Sequence, residues 1–250
     1  MKLIRHLLCA AVTTAAFVTA PAWAEEGFDY IIKPQIEGFE RTTQPNLYVL
    51  EVQSKPLRVI WVDVTDPKTG EKKPEQIWYL AYRVVNRSYR QPAGDNSKAV
   101  NQLDPEPGPS YFVPSFTLVT TDGEQTTHQD IVIPEAQVVI NQRERRELKN
   151  SVEIVGPIPP ASSGDANPQM LYGVATFRGV NPETDRFTVY MSGFSNGYRK
   201  AQGPAGEIVE RKTIMQKFWR PGDQFDVNFR EFRFEGDSQW IYRPEVVVKK

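Results

Sequence analysis

The sequence predicts an all-β fold, mainly an antiparallel β-sandwich with one short helix. Apolar and β-branched residues alternate with polar ones over short stretches, as they do in half-buried strands. Turn-forming pairs such as Asp122-Gly123 separate these stretches, as in β-hairpins. Helices do not alternate with the strands along the chain, which argues against an α/β sheet.

The first 24 residues have the pattern of a secretory signal peptide. Lys2 and Arg5 precede an uncharged apolar stretch over 7–18, and Ala22-Trp23-Ala24 forms a small-residue cleavage motif. The apolar stretch is shorter than the roughly 20 residues that a membrane-spanning helix needs. We therefore expect cleavage after Ala24 and a periplasmic or secreted protein without a transmembrane anchor. Cleavage would remove Cys9, the single cysteine, so the mature protein could form no disulfide.

Two adjacent strands are expected in the first half of the mature chain. Residues 59–64 alternate, and a turn over 66–70 follows, with proline and glycine where a turn favours them. Residues 77–86 (IWYLAYRVVN) are apolar on both faces, which predicts a central strand covered on both sides. Trp61 and Trp78 lie within these strands and are expected in the core.

One segment, residues 135–149, reads as a helix. Pro134 suits the first helical position, where its missing N–H costs nothing, and neither glycine nor proline follows until the segment ends. The charged run over 143–147 is expected to face water because it mixes both signs. Residues 137–140 also fit a strand, and the sequence leaves this alternative open.

A stretch rich in proline, glycine and serine, residues 156–170, reads as a linker. It divides the mature chain into a β-sandwich module over 25–155 and a shorter part over 171–250. That shorter part is either a second β module or a continuation of the same sandwich.

The last part of the chain shows further strand patterns. Phe225, Val227 and Phe229 alternate with polar residues. Gly236-Asp237 predicts a turn that leads into a strand over 240–242.

Residues 193–197 (GFSNG) match the nucleophile motif of α/β-hydrolases. The motif needs a helix after its serine, but Gly203 and Pro204 follow. It also needs a histidine later in the chain, whereas His128 precedes Ser195. We interpret the segment as a glycine-rich turn at the end of a strand.

Paired carboxylates can hydrolyse glycosides, and acids are plentiful in the chain. No spacing singles out a pair among Glu124, Asp130, Asp223, Asp226, Glu231 and Glu235. We expect no catalytic residue.

No metal site and no cofactor are expected either. One mature histidine and no mature cysteine cannot build a typical zinc site. Calcium-loop, P-loop and dinucleotide motifs are lacking. The net charge of -1 also excludes a general nucleic-acid binder, whose surface would be basic.

Three aromatic residues near predicted turns are candidates for a binding surface. Trp219 precedes Arg220-Pro221, and Trp240 and Tyr242 follow the Gly236-Asp237 pair. Exposed aromatic rings can stack on sugars or contact partner proteins.

Three segments together resemble a known group of proteins. These are IWYLAYRVVNRS, FTLVTTDGE and GVATFRGVNPETDRFTVYMSGFSNG, preceded by the signal peptide. They are similar to segments of uncharacterised secreted bacterial proteins with immunoglobulin-like β-sandwich modules. The resemblance implies an immunoglobulin-like sandwich but no activity for any residue. In size the chain is also similar to the two-module periplasmic pilus chaperones.

The sequence thus favours an exported, non-enzymatic β-sandwich protein that binds another envelope component, either a protein or a cell-wall glycan. The alternatives are a carbohydrate-binding module and a carboxylate-dependent hydrolase. Sheet edges and aromatic turns would supply the contacts in the first case.

Overall fold

The computed structural model describes residues 27–44, 46–66, 68–87, 111–162, 168–203, 206–221 and 231–244. The predicted signal peptide and the alternation at Phe225, Val227 and Phe229 lie outside these residues. The elements are β1 (Tyr30–Ile32), α1 (Gly38–Thr43), β2 (Glu51–Ser54), β3 (Arg58–Thr65), β4 (Lys72–Val85), β5 (Tyr111–Phe112), β6 (Ser115–Thr120), β7 (Thr127–Gln129), α2 (Pro134–Glu144), β8 (Gly156–Pro157), β9 (Met170–Arg178), β10 (Arg186–Ser192), β11 (Tyr198–Gly203), β12 (Gly206–Trp219) and β13 (Arg233–Pro244).

The first sheet is built around β4. Residues 72–79 of β4 pair with β3, residues 82–85 pair with β2, and residues 77–85 pair with β9. Since β9 uses residues that also pair with β2 or β3, those two strands follow each other along the opposite edge of β4. β1 adds to the sheet beside β2, and every pairing is antiparallel. The predicted central strand is therefore confirmed.

The second sheet is built around β12. β10 and β11 pair in turn with one edge of β12, and β13 pairs with the other edge. β6 lies beyond β10, and β7 lies beyond β6, again antiparallel. The connection between β6 and β7 contains Gly123 with a φ of 65°, which confirms the predicted turn at Asp122-Gly123.

A large hydrophobic core lies between the two sheets. Trp78 of the first sheet contacts Phe187 of the second, with 5.2 Å between ring centroids, and Phe232 at 4.4 Å. Tyr82 contacts Phe116 in the same way at 5.0 Å. Because successive strand residues point to opposite faces, alternate residues of β4 line this core. The two sheets pack as a mainly antiparallel β-sandwich, as predicted.

Helix α2 covers the outer face of the first sheet. Its Ala136 and Ile140 are buried against apolar residues of β3 and β4, in a second core cluster. The helix begins at Pro134, as predicted, but ends at Glu144 rather than near residue 149. Arg145 adopts a left-handed backbone with a φ of 52°, which turns the chain out of the helix.

The segment before β2 contacts both sheets. β1 pairs within the first sheet, while the ring of Tyr30 stacks on Phe234 of the second sheet at 3.9 Å. The indole N–H of Trp240 donates to the carbonyl of Lys33 at 3.0 Å. Residues 30–43 therefore tie the two sheets together along one side of the sandwich.

In both sheets, strands that precede the proline- and glycine-rich segment in the sequence pair with strands that follow it. β4 pairs with β9 in the first sheet, and β6 pairs with β10 in the second. Residues 163–167 of the segment lie outside the described residues. Among the residues that the structure describes, no helix is long and apolar enough to cross a membrane.

Candidate binding surface

Trp240 and Tyr242 lie two residues apart on β13, so their side chains share one face of the second sheet. Their partners in the ladder are Ile214 and Lys212 of β12. Ile214 is buried between the sheets, which makes this the inward face. The structure therefore brings together two of the three predicted binding aromatics.

The turn predicted at Gly236-Asp237 is wrong, because β13 continues through it. A step of four residues in β13, from 235 to 239, faces a step of two in β12, from 217 to 215. The additional residues form a β-bulge, in which Gly236 has a φ of 68°. Turns and β-bulges both favour glycine at positions of positive φ, so the Gly236-Asp237 pair alone does not distinguish them.

A buried ion pair lies beside the two rings. Lys212 Nζ contacts the two carboxylate oxygens of Glu40 at 2.6 and 2.7 Å. The Lys212 side chain is 4% exposed and the Glu40 side chain is 1% exposed. Glu40 also accepts a hydrogen bond from the backbone N–H of Glu37 at 2.7 Å and one from the Tyr242 hydroxyl. Such partners offset the cost of taking both charges out of water.

The indole N–H of Trp240 and the hydroxyl of Tyr242 both donate hydrogen bonds within the protein. Burial, and then the hydrogen bond to the Glu40 carboxylate, raise the pKa of the Tyr242 phenol above its ordinary value. The Arg199 guanidinium lies 4.6 Å from the centroid of the Tyr242 ring. Tyr242 and Trp240 are half-buried, so part of each ring remains accessible at the surface. The rings are thereby held in fixed positions, as aromatic anchors of an interface are.

Trp219, the third candidate, lies elsewhere. Its neighbour Phe218 points into the inter-sheet core, so Trp219 points to the outer face of the second sheet. It is half-buried, and the Arg233 guanidinium lies 5.9 Å from its ring. The structure does not bring it together with Trp240 and Tyr242.

Trp61 was expected in the core, and this prediction is wrong. Its side chain is 58% exposed, whereas Trp78 is fully buried as expected. Trp61 pairs with Gln76 midway along the β3–β4 ladder. It shares the inward face of the sheet with Val59 but lies beyond the part that the second sheet covers.

A second buried ionic cluster was missed by the sequence reasoning. The charged run over 143–147 was expected to face water, but the Glu144 side chain is only 2% exposed. Glu144 accepts hydrogen bonds from Lys55 at 2.8 Å, from Arg58 at 2.9 Å and from the Tyr79 hydroxyl at 2.6 Å. Burial favours a raised pKa for Glu144, but these donors and positive charges outweigh it and lower the pKa.

Ser195 lies in a structural turn. Its hydroxyl donates to the carbonyl of Tyr48 at 2.8 Å and accepts from the N–H of Gly197 at 3.0 Å. Gly193 has a φ of 87°, and its backbone lies against the carbonyl of Val113, where a side chain would not fit. These contacts agree with the glycine-rich turn expected for residues 193–197.

Three of the six named acids hold other parts of the fold. Glu231 pairs with Arg58 at 2.7 Å, and Glu235 pairs with Arg186. Asp130 accepts from the N–H of Thr176 at 2.8 Å, and burial raises its pKa. Asp223 and Asp226 lie outside the described residues, and Glu124 is exposed.

Within the described ranges, no group of three or more His, Cys, Asp or Glu side chains could hold a metal ion. Comparison of the chain with protein-family models, with curated proteins and with solved structures finds no match.

Proposed function

We propose that this chain is an exported, non-enzymatic protein that binds another protein of the cell envelope through the edge strand β13. One observation carries the proposal: β13 is twelve residues long, and in the described part of the chain it pairs along one edge only, with β12. An edge strand of this length presents backbone N–H and C=O groups to which an extended partner segment can add as a further strand.

Side chains on both faces of β13 favour such an addition. Trp240 and Tyr242 lie on one face, held by the contacts described above. Ile241 and Arg243 lie on the other, and the Arg243 guanidinium stacks 4.1 Å from the centroid of Tyr190. Aromatic and arginine side chains are the usual anchors of protein interfaces. A strand added beside β13 would meet such groups on both of its faces.

The signal-peptide pattern over residues 1–24 supports export, and cleavage after Ala24 would release the chain into the periplasm or beyond the cell. The partner would then be a protein of the envelope.

A capture experiment tests the proposal. Mature protein (residues 25–250) is expressed at native level in its own host, crosslinked and recovered, and the recovered proteins are identified by mass spectrometry. Gln239 is an exposed residue of β13. Gln239→Lys therefore adds a charge to the edge strand, which discourages pairing with a further strand. Thr127→Lys places the same charge on β7, at the opposite end of the same sheet.

We expect a reproducible protein partner whose recovery falls with Gln239→Lys and stays unchanged with Thr127→Lys. Equal recovery with both variants would contradict binding through β13. A chain that stays with the wall fraction without any protein partner would contradict the proposal as a whole.

That last outcome would favour a second candidate function, carbohydrate binding. The observation behind it is the exposed ring of Trp61, because an exposed aromatic face can stack on a sugar ring. Glycan affinity electrophoresis with Trp61→Ala distinguishes the two: the variant weakens retention on cell-wall glycan only if this candidate is right.

A further inference from the structure

The register of β13 determines which of its backbone groups point to the open edge, the side of the strand away from β12. The N–H of Lys212 in β12 donates to the carbonyl of Gly197 at 2.8 Å, on the side of β12 that β11 occupies. Tyr242 is the partner of Lys212 in the β12–β13 ladder. Because hydrogen-bonded and non-hydrogen-bonded pairs alternate in an antiparallel ladder, the N–H and C=O of Tyr242 point to the open edge. Those of Trp240, two residues away, do the same.

The first half of β13 is closed by other parts of this chain. Just before the strand, the N–H of Phe232 donates to the carbonyl of Leu57, which precedes β3, at 2.8 Å. At the bulge, the hydroxyl of Tyr30 accepts from the N–H of Ser238 at 2.8 Å and donates to the carbonyl of Gly236 at 3.4 Å. A partner strand that reached this half would have to displace these contacts.

The second half, residues 239–244, is open in the described part of the chain, where it pairs with β12 alone. Trp240 and Tyr242 each offer one N–H and one C=O to an added strand. Pro244 has no N–H, so a ladder along the open edge loses its next donor there. Such a stretch of strand is only about 20 Å long. The open edge therefore accepts a short segment and not a strand as long as β13.

We propose that the envelope partner contributes one short extended segment, which pairs with residues 239–243 of β13 and is apolar beside Trp240, Ile241 and Tyr242. The two aromatic side chains flank one face of the added segment, and Ile241 lies on its other face. Apolar side chains of the segment would lose contact with water on both faces, which favours binding. A loop or a chain end of the partner can supply such a segment. This inference rests on the proposed function and specifies the part of β13 that binds.

Crosslinking from both halves of β13 tests the inference on the full chain in its native host. A photoactivatable phenylalanine replaces Arg233, Glu235, Gln239 or Arg243 in turn, and the adducts are identified by mass spectrometry. All of these side chains share the outer face of the second sheet, because their partners in β12 are separated by even numbers of residues. The positions therefore differ mainly in lying before or after the bulge.

We expect adducts with one protein from positions 239 and 243 and none above background from positions 233 and 235. The two adducts should map to residues of the partner that are about four apart, because both strands advance by roughly 3.4 Å per residue. A helix that spanned the same distance would show about nine residues between them, since it advances by roughly 1.5 Å per residue.

Two kinds of failure are distinguishable. Equal adducts from all of these positions, or adducts from 239 and 243 that map to separate segments or to a helical spacing, would overturn the inference and leave binding at β13 standing. No adduct from any of these positions would overturn the proposed function and the inference with it.

Discussion

Lys212 and Glu40 join two distant parts of the chain through a contact that water barely reaches. Removing one charge leaves the other buried without its main partner, which typically costs about 3–5 kcal/mol. We expect Lys212→Met to lower the free energy of unfolding by roughly that amount, measured by chemical denaturation.

The exposed pair Lys200–Glu207, with side chains 63% and 62% exposed, provides the matched control. Lys200→Met should change the free energy of unfolding by less than about 1 kcal/mol, because exposed ion pairs contribute little. The double variant Glu40→Leu/Lys212→Met should be more stable than Lys212→Met alone. Equal effects at the two lysines would show that the buried pair does not hold the N-terminal segment.

Gly173 is required by close packing. It pairs with Tyr82 across β4 and β9, and a Cβ at Gly173 would overlap the Tyr82 ring and the side chain of Ile154. We expect Gly173→Ala to destabilise the fold by about 1–3 kcal/mol, as overpacking does. Gly38 has open space around it, so Gly38→Ala should be close to neutral. Thermal unfolding of both variants beside the unsubstituted chain makes the comparison.

Individual site residues were only partly predictable from the sequence. Trp240 and Tyr242 follow from strand alternation, because residues two apart share a face. The position of Trp219 on the other face depends on the register of β12, which sequence alone does not give. Glu144 was missed because a mixed charge run reads as solvated, while its partners Lys55 and Arg58 come from a distant strand and the loop before it.

Among the secondary-structure elements, the end of α2 is held on the first sheet by the hydrogen bonds and ion pairs of Glu144. Its pKa in the folded chain lies below that of an ordinary carboxyl, so the ionised form favours folding. The contribution is complete above the ordinary glutamate pKa of about 4.3 and is lost as the pH falls through the lower folded-state value.

Glu144→Gln should therefore destabilise the protein at pH 7 by about 3 kcal/mol, and its deficit relative to the unsubstituted chain should shrink below about pH 4. In Glu144→Gln, amide hydrogen exchange should speed up more in α2 than in the second sheet, relative to the unsubstituted chain. Glu207→Gln, which neutralises an exposed acid, is the control. It should change the free energy of unfolding little at any pH. A deficit for Glu144→Gln that is independent of pH would contradict the account.

The strands β3 and β4 and the start of α2 could be predicted because their local patterns agree with the fold. β4 is apolar on both faces because one face meets the second sheet and the other meets α2. The end of α2 could not be predicted, because residues 145–149 favour a helix by composition. After the helix, the side-chain oxygen of Asn141 accepts a hydrogen bond from the backbone N–H of Leu148 at 3.0 Å. This contact takes the place of a further helical turn.

At the scale of the whole molecule, the two sheets depend on strands from both sides of residues 156–170. Fragments 27–155 and 171–250 would each lack strands that the other supplies. We expect each fragment alone to give no cooperative thermal transition and no near-ultraviolet circular dichroism of a packed core, whereas the intact chain unfolds in one transition. A folded fragment 171–250 would show that this part forms a module of its own.

Binding at the β13 edge is tested most directly by crosslinking from single positions in the native host. A photoactivatable phenylalanine replaces Gln239 on β13 or, as the control, Thr127 on β7, and illuminated cells are separated into envelope and medium fractions. The account predicts one protein adduct from position 239 that is absent from position 127. No protein adduct from position 239, or the same adducts from both positions, would contradict it.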